Sequence, residues 1–189
     1  TDYVWLPRED VLHFEEISAL VDRWGPRDRG TVVVIPPAWG RTKESFLALA
    51  RTIVATFERA GESICVLRFD GTHRRGESYI DEECRGAGDE YLRFRFSRAV
   101  EDIAASVEFA KKAFNPSRTI VVAFSLGAVE ARRAIALDQG SNIDGWVSVV
   151  GMVDLQSGLR TVSGGVDFAL GQSLGVEFGR HELVGVVAD

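Results

Sequence analysis

Ser125 stands in the run Ala123-Phe124-Ser125-Leu126-Gly127, directly after an apolar stretch, Arg118–Phe124 (RTIVVAF), and directly before a helical one, Leu126–Asp138. A serine hydroxyl attacks a carbonyl only when its surroundings activate it. One arrangement that does so is a tight strand-to-helix turn written G-x-S-x-G, which pushes the hydroxyl out above the end of a sheet. Small flanking residues are needed there, because the strand and helix backbones come close together. Ala123 replaces the first glycine of the pattern and is small enough to serve. Ser125 is therefore the candidate catalytic nucleophile, and the chemistry it would do is acyl transfer. The plainer reading is a serine N-cap on the next helix. The two are compatible, since a helix N-terminus also lowers the cost of negative charge at that point.

Acyl transfer also needs donors for the developing oxyanion, usually the N–H after the nucleophile and one from the loop after an early strand. The loop Pro36-Pro37-Ala38-Trp39-Gly40-Arg41 falls in that place, after Thr31–Ile35 and before a helix that begins near Glu44. The expected donors are the N–H groups of Trp39 and Leu126. The alternative is a turn that ends a strand, with Trp39 covering the core.

A general base and its acid are harder to place. The chain has three histidines, His13, His73 and His181. His13 precedes the parallel part of the sheet. His73, in Asp70-Gly71-Thr72-His73-Arg74-Arg75-Gly76, comes after a strand at the sheet end where ligands bind in open α/β folds. His181 lies near the C-terminus of the sequence. Asp154 comes just after the run Gly145–Val153 and is the best local candidate for the acid, although it could equally cap a helix over Leu155–Arg160.

These residues must be carried by elements, and the pattern from Gly30 onward alternates strand with helix. Thr31–Ile35 (TVVVI) reads as a strand buried on both faces, and Ser63–Phe69 (SICVLRF), Arg118–Phe124 and Gly145–Val153 (GWVSVVGMV) as further strands. Between them, Glu44–Ala60 places Phe46, Leu49, Ala50, Ile53, Val54 and Phe57 on one helical face. A second helix opens at an N-cap Ser97 and aligns Val100, Ile103, Ala104, Val107 and Ala110; Leu126–Asp138 is a third. This is an α/β chain with a mostly parallel sheet, helices on both faces and right-handed crossovers. His13–Trp24 partly alternates, which suits an antiparallel edge pair. Asp70–Phe94 is polar and aperiodic and reads as a solvated excursion. Residues 1–157 form the core, and 158–189 are Gly-rich and without a clear strand.

The net charge of −6 and pI near 5.2 argue against a nucleic-acid or anionic-membrane partner. Arg93, Arg95 and Arg98 interleave with Phe94 and Phe96 as in base-stacking surfaces, but Asp89, Glu90 and Glu101 flank them, and a solvated loop leading into a helix accounts for them. Cys65 reads as a buried thiol, and neither it nor Cys84 has metal-ligand spacing. No disulfide framework, membrane span or signal peptide is evident, so the expected setting is the cytoplasm, with no cofactor and no metal.

Taken together, the chain resembles the acyltransferase (thioesterase) component of the bacterial bioluminescence fatty-acid reductase complex, an α/β-hydrolase. The resemblance runs from about Gly30 onward through Pro36–Phe46, Val66–Gly76, Ala123–Arg132, Trp146–Leu155 and Val166–Val184. It implies the α/β-hydrolase fold, Ser125 as the acylated residue, residues 158–189 as the start of a cap or lid, and acyl thioesters of an acyl carrier protein or coenzyme A as substrates. It also implies that the acid and histidine sit on loops beyond Asp189, that the sheet lacks its C-terminal strands, and that the unfinished edge can associate with another chain. Two other functions stay open: a catalytically silent α/β-hydrolase-fold module that binds an acyl group or a partner domain, and a carboxylesterase.

Overall fold

The structure is a computed structural model and describes residues 2–7, 16–85, 94–138 and 142–151. Among the described residues six strands form one sheet: β1 (Asp2–Pro7), β2 (Glu16–Trp24), β3 (Thr31–Ile35), β4 (Ile64–Phe69), β5 (Arg118–Phe124) and β6 (Gly145–Val149), in the order β1-β2-β4-β3-β5-β6. β3, β4, β5 and β6 are parallel, and β1 and β2 join antiparallel to them and to each other. The expected antiparallel edge pair exists, but it is formed by 2–7 with 16–24 and not within 13–24.

Successive residues of a strand face opposite sides of a sheet, and the TVVVI run uses both. Val33 and Ile35 face α1 (Leu47–Ala60), packing with Ile64, Val66 and Ala50 under Phe46, Leu49, Ile53, Val54 and Phe57. Val32 and Val34 face the other way, with Cys65, Leu67, Val121 and Ala123, against α2 (Phe96–Phe114) and α3 (Leu126–Asp138). That side is lined by Val100, Ile103, Val107 and Ala110 from α2 and by Ala128, Ala131 and Ala134 from α3. Helices therefore cover both faces.

The C-termini of α1 and α2 follow ordinary capping rules, whereas their N-cap positions make no side-chain cap hydrogen bond. A short 3₁₀ turn over Lys43–Phe46 leads into α1, which ends at Gly61 in the left-handed region (φ +70) that glycine adopts without steric cost. α2 begins at Phe96 with Arg95 in the cap position, so Ser97 lies in its first turn and is not the N-cap. The expected strand 145–153 ends at Val149, and Val150 comes next in a left-handed conformation. β6 is the last strand on one side among the described residues, and there Trp146 and Val147 are 40% and 47% exposed. Among the described residues no helix is long and apolar enough to cross a membrane.

The segment after β4 departs most from expectation. Asp70, Thr72, His73, Arg74 and Ser78 are buried, so at least 70–78 is a packed loop and not a solvated excursion. Asp70 accepts from the Lys43 backbone N–H and its Nζ, both at 2.7 Å, and from the Glu77 N–H at 2.9 Å. Lys43 Nζ also meets Glu77 at 2.8 Å. Thr72 N–H donates to Asp102 at 2.8 Å, and Ser78 Oγ donates to the Asp70 carbonyl at 2.7 Å. Beneath Lys43, Arg68 donates to its carbonyl at 2.6 Å and pairs with Asp22. Buried polar groups require partners, and Lys43, Asp102 and Asp22 come from sequence positions too distant for a local pattern to reveal. Residues 86–93 lie outside the described set, as do His13 and 158–189.

Candidate functional site

β5 sits between β3 and β6, so the turn at its C-terminal end is flanked by the segments that leave both neighbouring strands. Ser125 is that turn. Its backbone is left-handed, φ +50, a conformation that costs an ordinary residue roughly 1–2 kcal/mol. An ordinary N-cap is extended, so the backbone separates Ser125 from the plain capping reading. Its N–H donates to the Val149 carbonyl at the end of β6 (3.2 Å), and its own carbonyl accepts from Ala128 (3.1 Å), closing the first turn of α3. The side chain is half-buried at the sheet's C-terminal edge.

The close approach expected of such a turn is present on both sides. A methyl group at Gly127 would stand 2.9 Å from the Pro37 carbonyl oxygen, and one at Gly151 would stand 2.8 Å from Ala128 Cβ. Ala123, in the position of the missing glycine, is fully buried without a conflict. The first of these contacts locates the loop after β3: Pro37 and Ala38 lie directly against the start of α3, beside the residue after Leu126. Leu126 is the first residue of α3 and is buried. Trp39 is half-buried, packed edge-to-face on Phe94 with ring centroids 5.2 Å apart. Ser125, Leu126 and the Pro36–Gly40 loop are thus brought to one end of the sheet.

The other candidates fare differently. His73 is buried in a left-handed conformation (φ +50), its N–H donating to the Tyr79 carbonyl at 2.9 Å and its ring edge-on to Tyr79 at 5.6 Å. It is held by its own loop. Asp154 and His181 lie outside the described residues. Among the described residues, no group of three or more His, Cys, Asp or Glu side chains is placed to hold a metal ion.

Sequence reasoning missed Glu130 and the role of Arg74. Glu130 is buried on α3, one turn past Gly127, and pairs with Arg74 from the 70–78 loop. Burial pushes its carboxyl up from the ordinary glutamate value, against the pull of the Arg74 guanidinium. A signal was available, since position 130 shares the apolar face of 127, 131 and 134. Lys43 is fully buried; burial pulls its ammonium down, but the hydrogen bonds it donates to Asp70 and Glu77 outweigh this and hold it above the ordinary lysine value.

Solved structures superpose on this chain over most of its length. Est1E from Butyrivibrio proteoclasticus, solved with ferulic acid bound, superposes with a TM-score of 0.64 at 15% identity, over 95% of this chain and 61% of that one. The fold is the α/β-hydrolase fold. The thioesterase domain from the curacin biosynthetic pathway shares it (TM-score 0.58, 12% identity, 88% and 53% of the two chains), as does the esterase from Exiguobacterium antarcticum (0.55, 13%, 79% and 45%). The chain spans roughly half to three-fifths of the α/β-hydrolases it matches. No protein-family model matches the sequence, and no curated protein is significantly similar to it.

Proposed function

We propose that this chain belongs to a serine acyl hydrolase or acyltransferase that works through an acyl-Ser125 intermediate, with acyl thioesters of an acyl carrier protein or coenzyme A as substrates. The observation that carries the proposal is the left-handed Ser125 at the end of β5, with the Pro36–Gly40 loop packed on the same helix start. In this reaction Ser125 Oγ adds to the thioester carbonyl, losing its proton to a general base. The N–H groups of Leu126 and Trp39 stabilise the resulting oxyanion from about 3 Å. Collapse expels the thiol and leaves an acyl-serine, which water or a second acceptor then releases. Histidines 73 and 181 are the candidates for the base and Asp154 for the acid, assignments that single substitutions test directly. The thioester preference draws on the resemblance of Pro36–Phe46, Val66–Gly76 and Ala123–Arg132 to the bioluminescence acyltransferase component, and a thioesterase domain is among proteins of like fold.

A carboxylesterase is the second reading, favoured by an esterase and a ferulic-acid complex among proteins of like fold. One experiment separates these. The chain is treated with a fluorophosphonate beside Ser125→Ala, and its turnover is compared on an acyl thioester and the matching oxyester. Labelling confined to Ser125, with faster thioester turnover, supports the proposal; faster oxyester turnover supports the esterase. No labelling means a silent α/β-hydrolase-fold module.

A further inference from the structure

The Pro37 carbonyl is held from two directions. On one side it lies against Gly127 at the start of α3, where even a methyl group would come within 2.9 Å. On the other, Arg74 Nη1 donates to it at 3.3 Å. The same guanidinium pairs through Nη2 with Glu130, one turn further along α3. Both charged side chains are buried, so the pair is shielded from water and from salt. The guanidinium also lies 4.4 Å from the Phe94 ring centroid and 5.8 Å from that of Trp39. Gly71 makes room for this, since a methyl group there would stand 2.8 Å from Arg74 Cδ. One side chain thus touches the loop after β3, the helix that Ser125 opens, and the Trp39–Phe94 ring pair.

We propose that Arg74, anchored by Glu130, is a positioning residue that fixes the Pro37–Ala38 peptide and so sets the N–H groups of Ala38 and Trp39 relative to Ser125. The physical link is the planar trans peptide, in which C=O and N–H point in opposite directions. Holding the Pro37 oxygen toward Arg74 and α3 therefore dictates where the Ala38 N–H points, and through it the start of the next peptide. Arginine suits the task because its rigid fork serves a carbonyl and a carboxylate at once, whereas a lysine ammonium at the same place reaches one or the other. Arg74 touches no reacting atom. It acts through the loop, and the inference rests on the acyl-transfer reading of Ser125.

The test uses the whole chain and the pair-deleting variant Arg74→Met/Glu130→Leu. Removing both charges avoids the unpaired buried carboxylate that Arg74→Met alone would leave, which could unfold the protein. The expected result is a folded variant whose Ser125 reacts with a fluorophosphonate about 100-fold more slowly, in line with an ångström-scale displacement of catalytic groups. On an ester substrate kcat should carry the loss while KM stays within about twofold, because the loop acts on the transition state. Arg74→Lys should recover part of the rate. Backbone amide resonances of Ala38 and Trp39 provide an independent readout and should move in the double variant. A double variant that reacts as fast as the unmodified chain, or one whose Ala38 and Trp39 resonances stay in place, overturns the assignment. An unmodified chain that fails to label overturns the acyl-transfer reading beneath it, and the amide resonances tell the two failures apart.

Discussion

Gly127→Ala probes the packing between the nucleophile turn and its loop with a single methyl group. The added carbon would meet the Pro37 oxygen at 2.9 Å, whereas ordinary contact begins at 3.4 Å, so the loop must retreat by about half an ångström. Backbone stands on both sides of the contact, so no side-chain rotation relieves it. Overpacking of this kind costs about 1–3 kcal/mol, and alanine returns up to about 1 kcal/mol through its better helix propensity. Net stability should therefore fall by about 0–3 kcal/mol, leaving a folded protein. Reactivity should suffer more. An ångström of misplacement costs about 100-fold, so half of that corresponds to roughly tenfold, with the complete loss of one oxyanion donor, about 100- to 1,000-fold, as the ceiling. The assay pairs the rate of fluorophosphonate labelling with urea unfolding on the same preparation. A variant that is folded and labels at the unaltered rate would show that the loop supplies nothing to the reaction at Ser125.

Three other substitutions probe the geometry elsewhere. Ser125→Gly should abolish labelling yet raise stability by about 0.5–1 kcal/mol in urea unfolding, because glycine relieves the left-handed backbone at a smaller entropic cost; destabilisation would refute the strain. Lys43→Met leaves Asp70 buried without its cation and should cost about 3–5 kcal/mol. Because Lys43 is held above the ordinary lysine value near 10.4, its contribution is fully present below that pH and is lost only as pH rises through the raised value; the deficit of the variant should be equal at pH 7 and about pH 10, and shrinkage by pH 10 would count against it. Gly76→Ala places a methyl group into the Asp70 carboxylate at a backbone φ of +140, so a loss of about 3 kcal/mol or more is expected in thermal unfolding, and a neutral result would mean that the 70–78 loop is not packed against Asp70.

Much of the framework was legible because strand and helix announce themselves locally. TVVVI, SICVLRF and RTIVVAF are β-branched runs of strand length, and the apolar spacing of 46–57 matches the face that α1 buries. The position of Ser125 was legible for the same reason, since a strand and a helix meeting at one residue leave space only for a turn. The 70–78 loop was misread because polarity was equated with solvation. Its partners Lys43, Asp102 and Glu130, like the Asp22 that pairs with Arg68 just before it, come from other elements, and nothing in the local run DGTHRRGES says that they are waiting. β1 escaped notice because DYVWLP is short, ends in proline and pairs only with β2.

The strand order β1-β2-β4-β3 also sets a schedule for the growing chain. From β3 onward, each parallel neighbour arrives after one intervening helix or helical segment, and the sheet can build by successive addition. β2 cannot follow that rule. It is synthesised before β3, yet its seat in the sheet is the far side of β4, and its Asp22 must wait for Arg68, 46 residues later. Until then Ile17, Ala19 and Val21 have no core to enter. β1 and β2 are thus made before β3 and β4 but seated after them, leaving an apolar strand without its core through the interval in which β3, α1 and β4 are translated, a window open to mispairing and to chaperones.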